Sequence, residues 1–470
     1  MVSESHQYIP GDKKTPLEFI REIETQWPVE TVTARGLQVW PHLRIYIGSA
    51  DDYFSQISGK KSLLIRTFFS SVFYGFGSLF RKYNYIIYSD TKERRKIDGL
   101  YVDKSIDYLM TIVHKPLDIE IPLSKHFARK NIPTKHIVSK VFFYFIETVY
   151  AKLFLCRLKI KEKHVLDDIC AHYNLDFNYK ALVKRFIAQY VVTRFFIRFN
   201  RPMAAFIECY YTNIGRIAAF KKKGIKVVEI QHGVISNKHL AYNIFKTFDE
   251  SYFPDYLFTF GESERKIAEH EHFYIRSDQI IPVGSFYIDY INSHPVKHSF
   301  VDEFREKYKY LVCVSGQNHY SESDLIIFLN SVARLNEEIL FIFVPRDESF
   351  KERTYELSER ILVNYEVNCY EMISVCDYHT TVFSTCALEA PSLGVPNILV
   401  NIKGLSKLHY EEVLNDSNTT LYVNSPEEYI EAIKTFKVKD KAVIRALNRE
   451  VILPDYKVNI KNALKKISLR

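Results

Sequence analysis

The sequence predicts an α/β fold built from two Rossmann-like units, and three observations carry that expectation. The chain has 470 residues, 47% of them hydrophobic and 26% charged, which is enough apolar material for two domains with their own cores and too much for a disordered chain. From residue 202 onward, short apolar runs alternate with stretches of helical period, the pattern of strands joined through helices. The alternation breaks at 292–307 (NSHPVKHSFVDEFREK), a linker-like stretch, and restarts beyond it. Strands joined through a helix lie parallel, so two parallel sheets are expected. The corresponding domains are 1–295, with a helical insertion at about 105–200, and 305–470, whose last helices are candidates to return to the first domain.

Residues 32–40 are strand-like, and Pro41 is placed to open a helix through Arg44 and Tyr46. The most apolar stretches, 62–80 and 141–156, are broken by Arg66 and two glycines in one and by Glu147 and Lys152 in the other. Both are therefore expected to be half-buried helices rather than bilayer spans. A β-rich run follows at 83–89, and 115–200 reads as mostly helical with turns at Pro116, Pro122 and Pro133. The first domain then gives strands at 203–208, 226–230, 256–260 and 279–283, with a helix over 213–223 that stops at Gly224. In the second domain, strands are expected at 310–314, 340–344, near 367–370 and at 397–400, with helices over 324–335 and 350–362 and a helical end from 426 to 466.

Several classes are excluded by composition. The seven cysteines are scattered without a CxxC pair, so neither a disulfide framework nor a zinc site is indicated. A net charge of +8 comes without an RNP motif or a long basic tract, which argues against nucleic acid as partner. The N-terminal MVSESHQYIPGDKK lacks an apolar h-region, giving a cytoplasmic expectation. Positive charge instead accompanies aromatic residues at 140–163 (KVFFYFIETVYAKLFLCRLKIKEK), a combination that an anionic membrane surface attracts. The acidic pairs Asp51-Asp52 and Asp167-Asp168 read as surface residues, and no metal is expected.

The chemistry-bearing residues cluster at predicted strand ends, where open α/β sheets place their ligands. In 376–396 (CDYHTTVFSTCALEAPSLGVP), Ser384 and Thr385 sit at a turn that opens a helix stopped by Gly394 and Pro396, with Pro391 shortening its last turn. Amide N–H groups at such a turn favour a phosphate, and Glu389, one turn on, could accept the hydroxyls of a ribose. Ser315, Gly316, Gln317 and Asn318 follow the first strand of the second domain, where small residues let amides approach an anion. Arg346, in Pro345-Arg346-Asp347, offers charge neutralisation. In the first domain Glu229-Ile230-Gln231-His232-Gly233 closes a strand, with His232 titrating near neutrality and Gly233 permitting a tight turn. Glu208 and Asp90 end two further strands. Arg35, Trp40, Arg44 and Arg94 lie beside aromatic strands and are candidates for an acidic acceptor.

The 376–396 segment resembles the nucleotide-binding end of GT-B glycosyltransferases and the related UDP-N-acetylglucosamine 2-epimerases. In those families a Ser/Thr-rich turn, a Glu and a Gly-x-Pro stop hold the donor's phosphate and ribose; the matching residues here are Ser384, Thr385, Glu389, Gly394 and Pro396. VVEIQHGVI looks like a loop of bacterial capsule and O-antigen glycosyltransferases, and PDYLFTFGES and IIPVGSFYIDYI, with Gly284 and Ser285, resemble the strand ends before the family's interdomain linker. The resemblance covers about 200–405. It implies GT-B architecture, two Rossmann-like domains facing a cleft, with extra aromatic-rich helices in the first. It also implies a metal-independent and cofactor-independent transfer of sugar from a nucleotide-sugar to a lipid-linked or oligosaccharide acceptor in surface polysaccharide synthesis, at the inner face of a bacterial inner membrane. His232 would be the base of an inverting reaction, with Glu208 and then Asp90 behind it; in a retaining reaction Glu208 would face the anomeric carbon. Departures are Gln-His-Gly where glycerophosphotransferases carry Trp-His-Gly, and Val344-Pro345-Arg346 where CMP-dependent enzymes carry His-Pro. A nonhydrolysing sugar-nucleotide epimerase and a non-catalytic polysaccharide-binding protein remain open alternatives.

Overall fold

In the computed structural model, residues 14–48, 68–317, 319–346, 348–436 and 440–469 are described. Asp51-Asp52, the start of the apolar stretch 62–80, most of the N-terminal segment, Asn318 and Asp347 lie outside them. The chain divides into two compact units, Met1–Thr259 with Glu264–Ile281 and Ile460–Arg470, and Phe260–Ser263 with Pro282–Asn459. The C-terminal residues are tied into the first unit by hydrogen bonds: Tyr85 Oη donates to Leu469 O (2.5 Å) and Lys226 Nζ to Ile467 O (2.7 Å).

The first unit is organised on a seven-stranded sheet: β1 Tyr85–Asp90, β2 Pro116–Ile121, β3 Ile137–Ser139, β4 Ala204–Ile207, β5 Lys226–Ile230, β6 Tyr256–Thr259 and β7 Ile280–Pro282. Their order across the sheet is β3-β2-β1-β4-β5-β6-β7, and β3 through β6 pair in parallel. This is the doubly wound order, reversing between β1 and β4. Ala204–Ile207 is buried at every position, as expected of a strand covered on both faces. Two strands, β2 and β3, fall inside 105–200, so that segment is not the helical insertion its composition suggested. Asp118 and Glu120 hide β2 from a hydrophobicity pattern, because both are buried carboxylates inside the strand. Helices α1 Pro16–Gln26, α2 Trp40–Gly48, α3 Lys140–Phe154, α4 Tyr179–Asn200 and α5 Ile214–Lys221 belong to this unit. Helix α1 is closed by a capping box between Thr15 and Glu18. Residues 32–40 form a hairpin of two-residue strands turning at Arg35 and Gly36, both at positive φ (49° and 75°), and Trp40 with Pro41 opens α2.

The second unit repeats the plan with β8 Tyr310–Ser315, β9 Ile339–Val344, β10 Ile361–Val363, β11 Tyr378–Thr381, β12 Asn397–Val400 and β13 Thr420–Val423. The order is β10-β9-β8-β11-β12-β13, all parallel, again reversing between the first and fourth strands. The fold class read from the sequence, two Rossmann-like domains, is the one observed. Three local expectations are corrected. The helix over 350–362 is a 3-10 turn at Glu348–Glu352 followed by β10, because the aliphatic run Ile361–Val363 pairs with β9. The strand near 367–370 is instead helix α7, Cys369–Val375, started by Asn368 Oδ1 accepting from the amides of Tyr370 and Glu371 (3.1 Å each). Residues 292–307 are largely helical, with Ser299–Lys307 a helix of nine residues.

Gly284 lies at φ +88° with the site of a Cβ only 2.1 Å from Leu453 O, and the corresponding position on Gly261 is 2.1 Å from Glu450 O. Both glycines let the backbone of the second unit close on its own segment 450–453. Gly284 is thus a packing residue, and Ser285, the N-cap of helix Phe286–Ser293, makes no side-chain capping bond. Among the described residues no helix is long and apolar enough to cross a membrane.

Candidate functional site

In a doubly wound sheet the strands on either side of the reversal send their following loops to opposite faces, leaving a crevice at their C-terminal ends. The first unit's crevice edge is formed by Asp90 at the end of β1, Glu208 just past β4, and Gln231-His232 just past β5. It is a charged edge. Asp90 Oδ1 accepts from Lys92 N at 2.9 Å, Lys92 Nζ lies 3.5 Å from Asp90 Oδ2, and Lys104 Nζ lies 3.3 Å from Glu93 Oε2. Glu208 is 8% exposed, and its Oε1 has no hydrogen-bond partner among the described residues. Burial, then the charges of Asp103, Glu93 and Asp90, push its carboxyl well above the usual range, against Lys92. A carboxyl so placed binds a proton more tightly than a free one.

Burial also lowers the imidazole of His232, opposed mainly by Glu229, so the ring is neutral and competent to accept a proton. Its Nε2 lies 3.4 Å from Tyr211 Oη, and its Nδ1 has no partner among the described residues. Glu229 is deeper in β5, where its carboxylate accepts from Tyr274 Oη (2.7 Å), Tyr242 Oη (3.2 Å) and Tyr210 N (3.2 Å), and burial pushes it up to about 8. Gln231 Nε2 donates to Glu264 Oε1 (2.7 Å) and Gly233 O (3.0 Å), pinning the loop that carries His232. A Cβ on Gly233 would meet nothing within 4 Å, so the turn itself does not require glycine there.

The proposed acceptor residues are placed differently from the sequence expectation. Arg94 is buried among carboxylates, with Nε 2.5 Å from Glu120, Nη1 3.0 Å from Asp107 and Nη2 3.4 Å from Asp118. Arg44 and Trp40 are buried too and share Glu24 Oε1, at 2.6 and 2.8 Å, while Arg44 also donates to Leu240 O and Asn243 O. These three build the unit's interior because a buried guanidinium must be fully paired, and none is presented to an acceptor. Arg35 is at the surface but donates to Tyr150 Oη (2.6 Å).

The second unit's edge is nearly neutral. Asn397 Nδ2 donates to Ala387 O (2.8 Å), which turns its Oδ1 toward His379 Nδ1 (2.8 Å); that nitrogen carries the proton, and His379 Nε2 accepts from Ser315 Oγ (2.6 Å). All three residues are buried, so Ser315, His379 and Asn397 lace β8, β11 and β12 together. The hydroxyl of Ser315 is therefore engaged inside the sheet. Gln317 Nε2 bridges Thr381 Oγ1 and Ser315 O. The Gly316 amide donates to Val344 O (2.8 Å), and a Cβ there would lie 2.8 Å from Arg346 N. Glycine is needed because β9's exit passes against it, not to bare an amide.

Past β11, Ser384 and Thr385 are half-buried, and helix α8, Cys386–Glu389, is a single turn. The amides of Ala387 and Leu388 already donate to Ser384 O and Thr385 O (2.9 Å each), and the Ser384 amide faces Thr381 Oγ1 at 3.4 Å. Two amides of the expected cradle are thus engaged within the turn, beside the hydroxyls of Ser384 and Thr385. Glu389 is buried with Oε1 accepting from Tyr370 Oη (3.0 Å). Arg346 is exposed at the same edge. Among the described residues no group of His, Cys, Asp and Glu is arranged to hold a metal ion.

No protein-family model matches this chain, and no curated protein does. Solved structures to which it is similar include the UDP complex of MnaA from S. aureus, 11% identical over 83% of this chain and 98% of that one, with a TM-score of 0.49. The UDP-GlcNAc 2-epimerase from Neisseria meningitidis bound to UDP-GlcNAc is 11% identical over 81% and 99%, with a TM-score of 0.46. CalG4, the calicheamicin glycosyltransferase, is 12% identical over 83% and 100%, with a TM-score of 0.48. Likenesses of this size assign neither a residue role nor an activity to this chain.

Sequence reasoning missed Glu24, Lys92, Glu93, Asp103 and Tyr370. The charged run directly after the strand ending at Asp90 was the available signal for Lys92 and Glu93; Glu24 and Tyr370 sit in ordinary helical patterns and give none.

Proposed function

We propose that this protein is a glycosyltransferase that moves a sugar from a nucleotide-sugar to a lipid-linked surface glycan while held at an anionic membrane surface. The observation that carries the reading is the pairing of two reversed, parallel sheets with dissimilar edges. One edge bears a buried carboxyl and an imidazole, Glu208 and His232, the first pushed up and the second pushed down from its ordinary proton affinity by burial. The other bears hydroxyls, an exposed Arg346 and the carboxylate of Glu389, which suit a phosphate and a ribose. In this reading His232 takes the acceptor's proton, Glu208 holds or receives one nearby, and Arg346 offsets the leaving phosphate's charge. A ribose hydroxyl would take the place of Tyr370 as donor to Glu389. An epimerase would share the fold and work without an acceptor.

The test is a thermal-shift screen of UDP-, GDP-, dTDP- and CMP-sugars, followed by transfer assays with Glu208→Gln. A saturating donor at about 100 times its Kd adds about 2.7 kcal/mol to stability. Glu208→Gln should keep that shift and cut transfer about 100-fold or more. No shift with any donor sinks the reading, and epimerised nucleotide-sugar formed without acceptor replaces it with the second one.

A further inference from the structure

The long helices α3 and α4 of the first unit enclose an open cavity of about 670 Å³ that the sheet edges do not use. Tyr144, Thr148 and Lys152 of α3 line it at a spacing of four, with Cys156 just past the helix end, and Lys184 and Arg185 face them from α4. The local charge is positive. Lys140, Arg185 and Arg216 stand 5.7, 5.8 and 5.4 Å from the Tyr144 ring centroid. The one carboxylate in the group, Glu147, is held by Arg216 at 2.5 Å, and Lys152 and Lys184 have no carboxylate partner among the described residues. The phenol of Tyr144 reports the same potential: burial alone would raise it, yet Lys140, Arg216 and Arg185 together hold it below its usual range.

Next to this lining, α3 carries a second stripe. Phe145, Val149 and Leu153, spaced by four, are 45%, 37% and 65% exposed, and Phe154 continues them at 62%. Exposed Arg157, Lys159 and Lys161 follow. A water-facing helix does not ordinarily present a line of large apolar side chains along a cationic pocket. Together they match a molecule with an anionic head and an apolar body.

We infer that the α3–α4 cavity is a headgroup site for the phosphate of a membrane lipid, with the Phe145–Val149–Leu153 stripe resting on the acyl region beside it. Lys152, Lys184 and the Tyr144 hydroxyl are the groups positioned to meet the phosphate oxygens, with Arg185 and Arg216 supplying charge from behind. This extends the membrane part of the proposed function and is independent of its chemistry, since it is measured with neither donor nor acceptor present.

The experiment is vesicle flotation of the full chain with phosphatidylcholine alone and with phosphatidylcholine containing about one third phosphatidic acid, at physiological salt. The wild type should float only with the anionic vesicles. Lys152→Glu/Lys184→Glu should lower the bound fraction about ten-fold, and Val149→Asp/Leu153→Asp should do the same with an unchanged melting midpoint. Lys159→Glu/Lys161→Glu makes an equal charge change outside the cavity and should cost only about two- to three-fold. An equal loss from both charge reversals overturns the cavity as the site, and release from the vesicles by millimolar inorganic phosphate overturns the lipid as its occupant in favour of free phosphate. A wild type that ignores anionic vesicles overturns the inference outright, and so does a concentration-dependent dimer, lost in Val149→Asp/Leu153→Asp, that accounts for the covered stripe. Donor-induced thermal shifts are read separately, so either proposal can fail alone.

Discussion

The two sheets share a strand order and differ in what stands where that order reverses. At the first unit's edge, Asp90, Glu93, Asp103, Asp107, Asp118, Glu120 and Glu208 are set against Lys92, Arg94 and Lys104, the members from Arg94 inward buried and Asp90, Lys92, Glu93 and Lys104 nearer the surface. At the second unit's edge, Ser315, Gln317, His379, Thr381 and Asn397 exchange neutral hydrogen bonds, and Arg346 is an exposed cation beside them. The same scaffold can therefore be tuned in two ways. Burial and neighbouring carboxylates raise the proton affinity of Asp90, Asp103, Asp118 and Glu208, which suits proton transfer. At Glu93 burial is outweighed by the charges of Lys104, Arg95 and Lys92, which together hold the carboxyl down at about 2. Removing carboxylates and leaving hydroxyls with one arginine suits holding an anion without repelling it.

The strongest way to break this contrast is Arg94→Met. Among the described residues the guanidinium is the cation paired with Glu120, Asp107 and Asp118, with His126 also on Glu120. Its loss leaves buried carboxylates uncompensated, and urea denaturation at pH 7.5 should show a loss of about 3–5 kcal/mol. The deficit should shrink at lower pH, because burial already raises the Asp118 carboxyl and a proton there removes its unpaired charge. A loss under about 1 kcal/mol would mean that the network carries little of the first unit's stability.

Asp103→Asn sharpens the same point through pH. Asp103 Oδ1 accepts from the amides of Ser105 (2.8 Å) and Ile106 (3.1 Å), which an asparagine oxygen can replace, while Oδ2 is buried without a partner among the described residues. Burial, then Asp107, push its carboxyl up to about 7. Because the folded state keeps a proton that the unfolded chain has released, the stability this group contributes is fully present below about pH 4 and is lost as pH rises through about 7. Asparagine cannot ionise, so the variant should gain on the wild type across that window, by on the order of a few kcal/mol in total, and run parallel to it above. Two parallel curves from pH 4 to 8 would remove Asp103 from the set of raised carboxyls.

Much of this contrast was legible in the sequence, unevenly. Strand ends near Asp90, Glu208 and Ser315 could be placed because polar or glycine-bearing loops follow apolar runs there. The fold class followed from that alternation. What could not be read was burial of charge: Asp118 and Glu120 disguised β2 as a non-strand, and Arg44 and Arg94 looked like surface cations because their partners Glu24 and Asp107 lie 20 and 13 residues away. At the phosphate turn the hidden feature is backbone conformation. A Ser-Thr pair before a helix leaves the following amides open only if the pair stays outside the helix; Thr385 already has helical angles (φ −54°, ψ −23°), and the amides at 387 and 388 bond back to 384 and 385. Glu389 stands beside that turn, and nothing in the sequence placed Tyr370 on it.

The gentlest test falls on the second edge. Arg346 is exposed, and its backbone crosses the Gly316 position at a separation that leaves no room for a Cβ. Its side chain is therefore anchored by a fixed backbone and directed by little else. Arg346→Ala should leave stability within about 0.5 kcal/mol, as surface substitutions do. If the guanidinium meets a donor phosphate, calorimetric affinity for the stabilising nucleotide-sugar should fall about ten-fold, or about 1.4 kcal/mol, and the loss should be smaller at high salt, where a partly exposed charge pair is already screened. Arg346→Lys keeps the charge but loses the planar fork, so it should recover only part of the affinity. Full recovery by lysine would make Arg346 a general source of positive potential, and the second edge would then differ from the first in charge alone, without a directional phosphate contact.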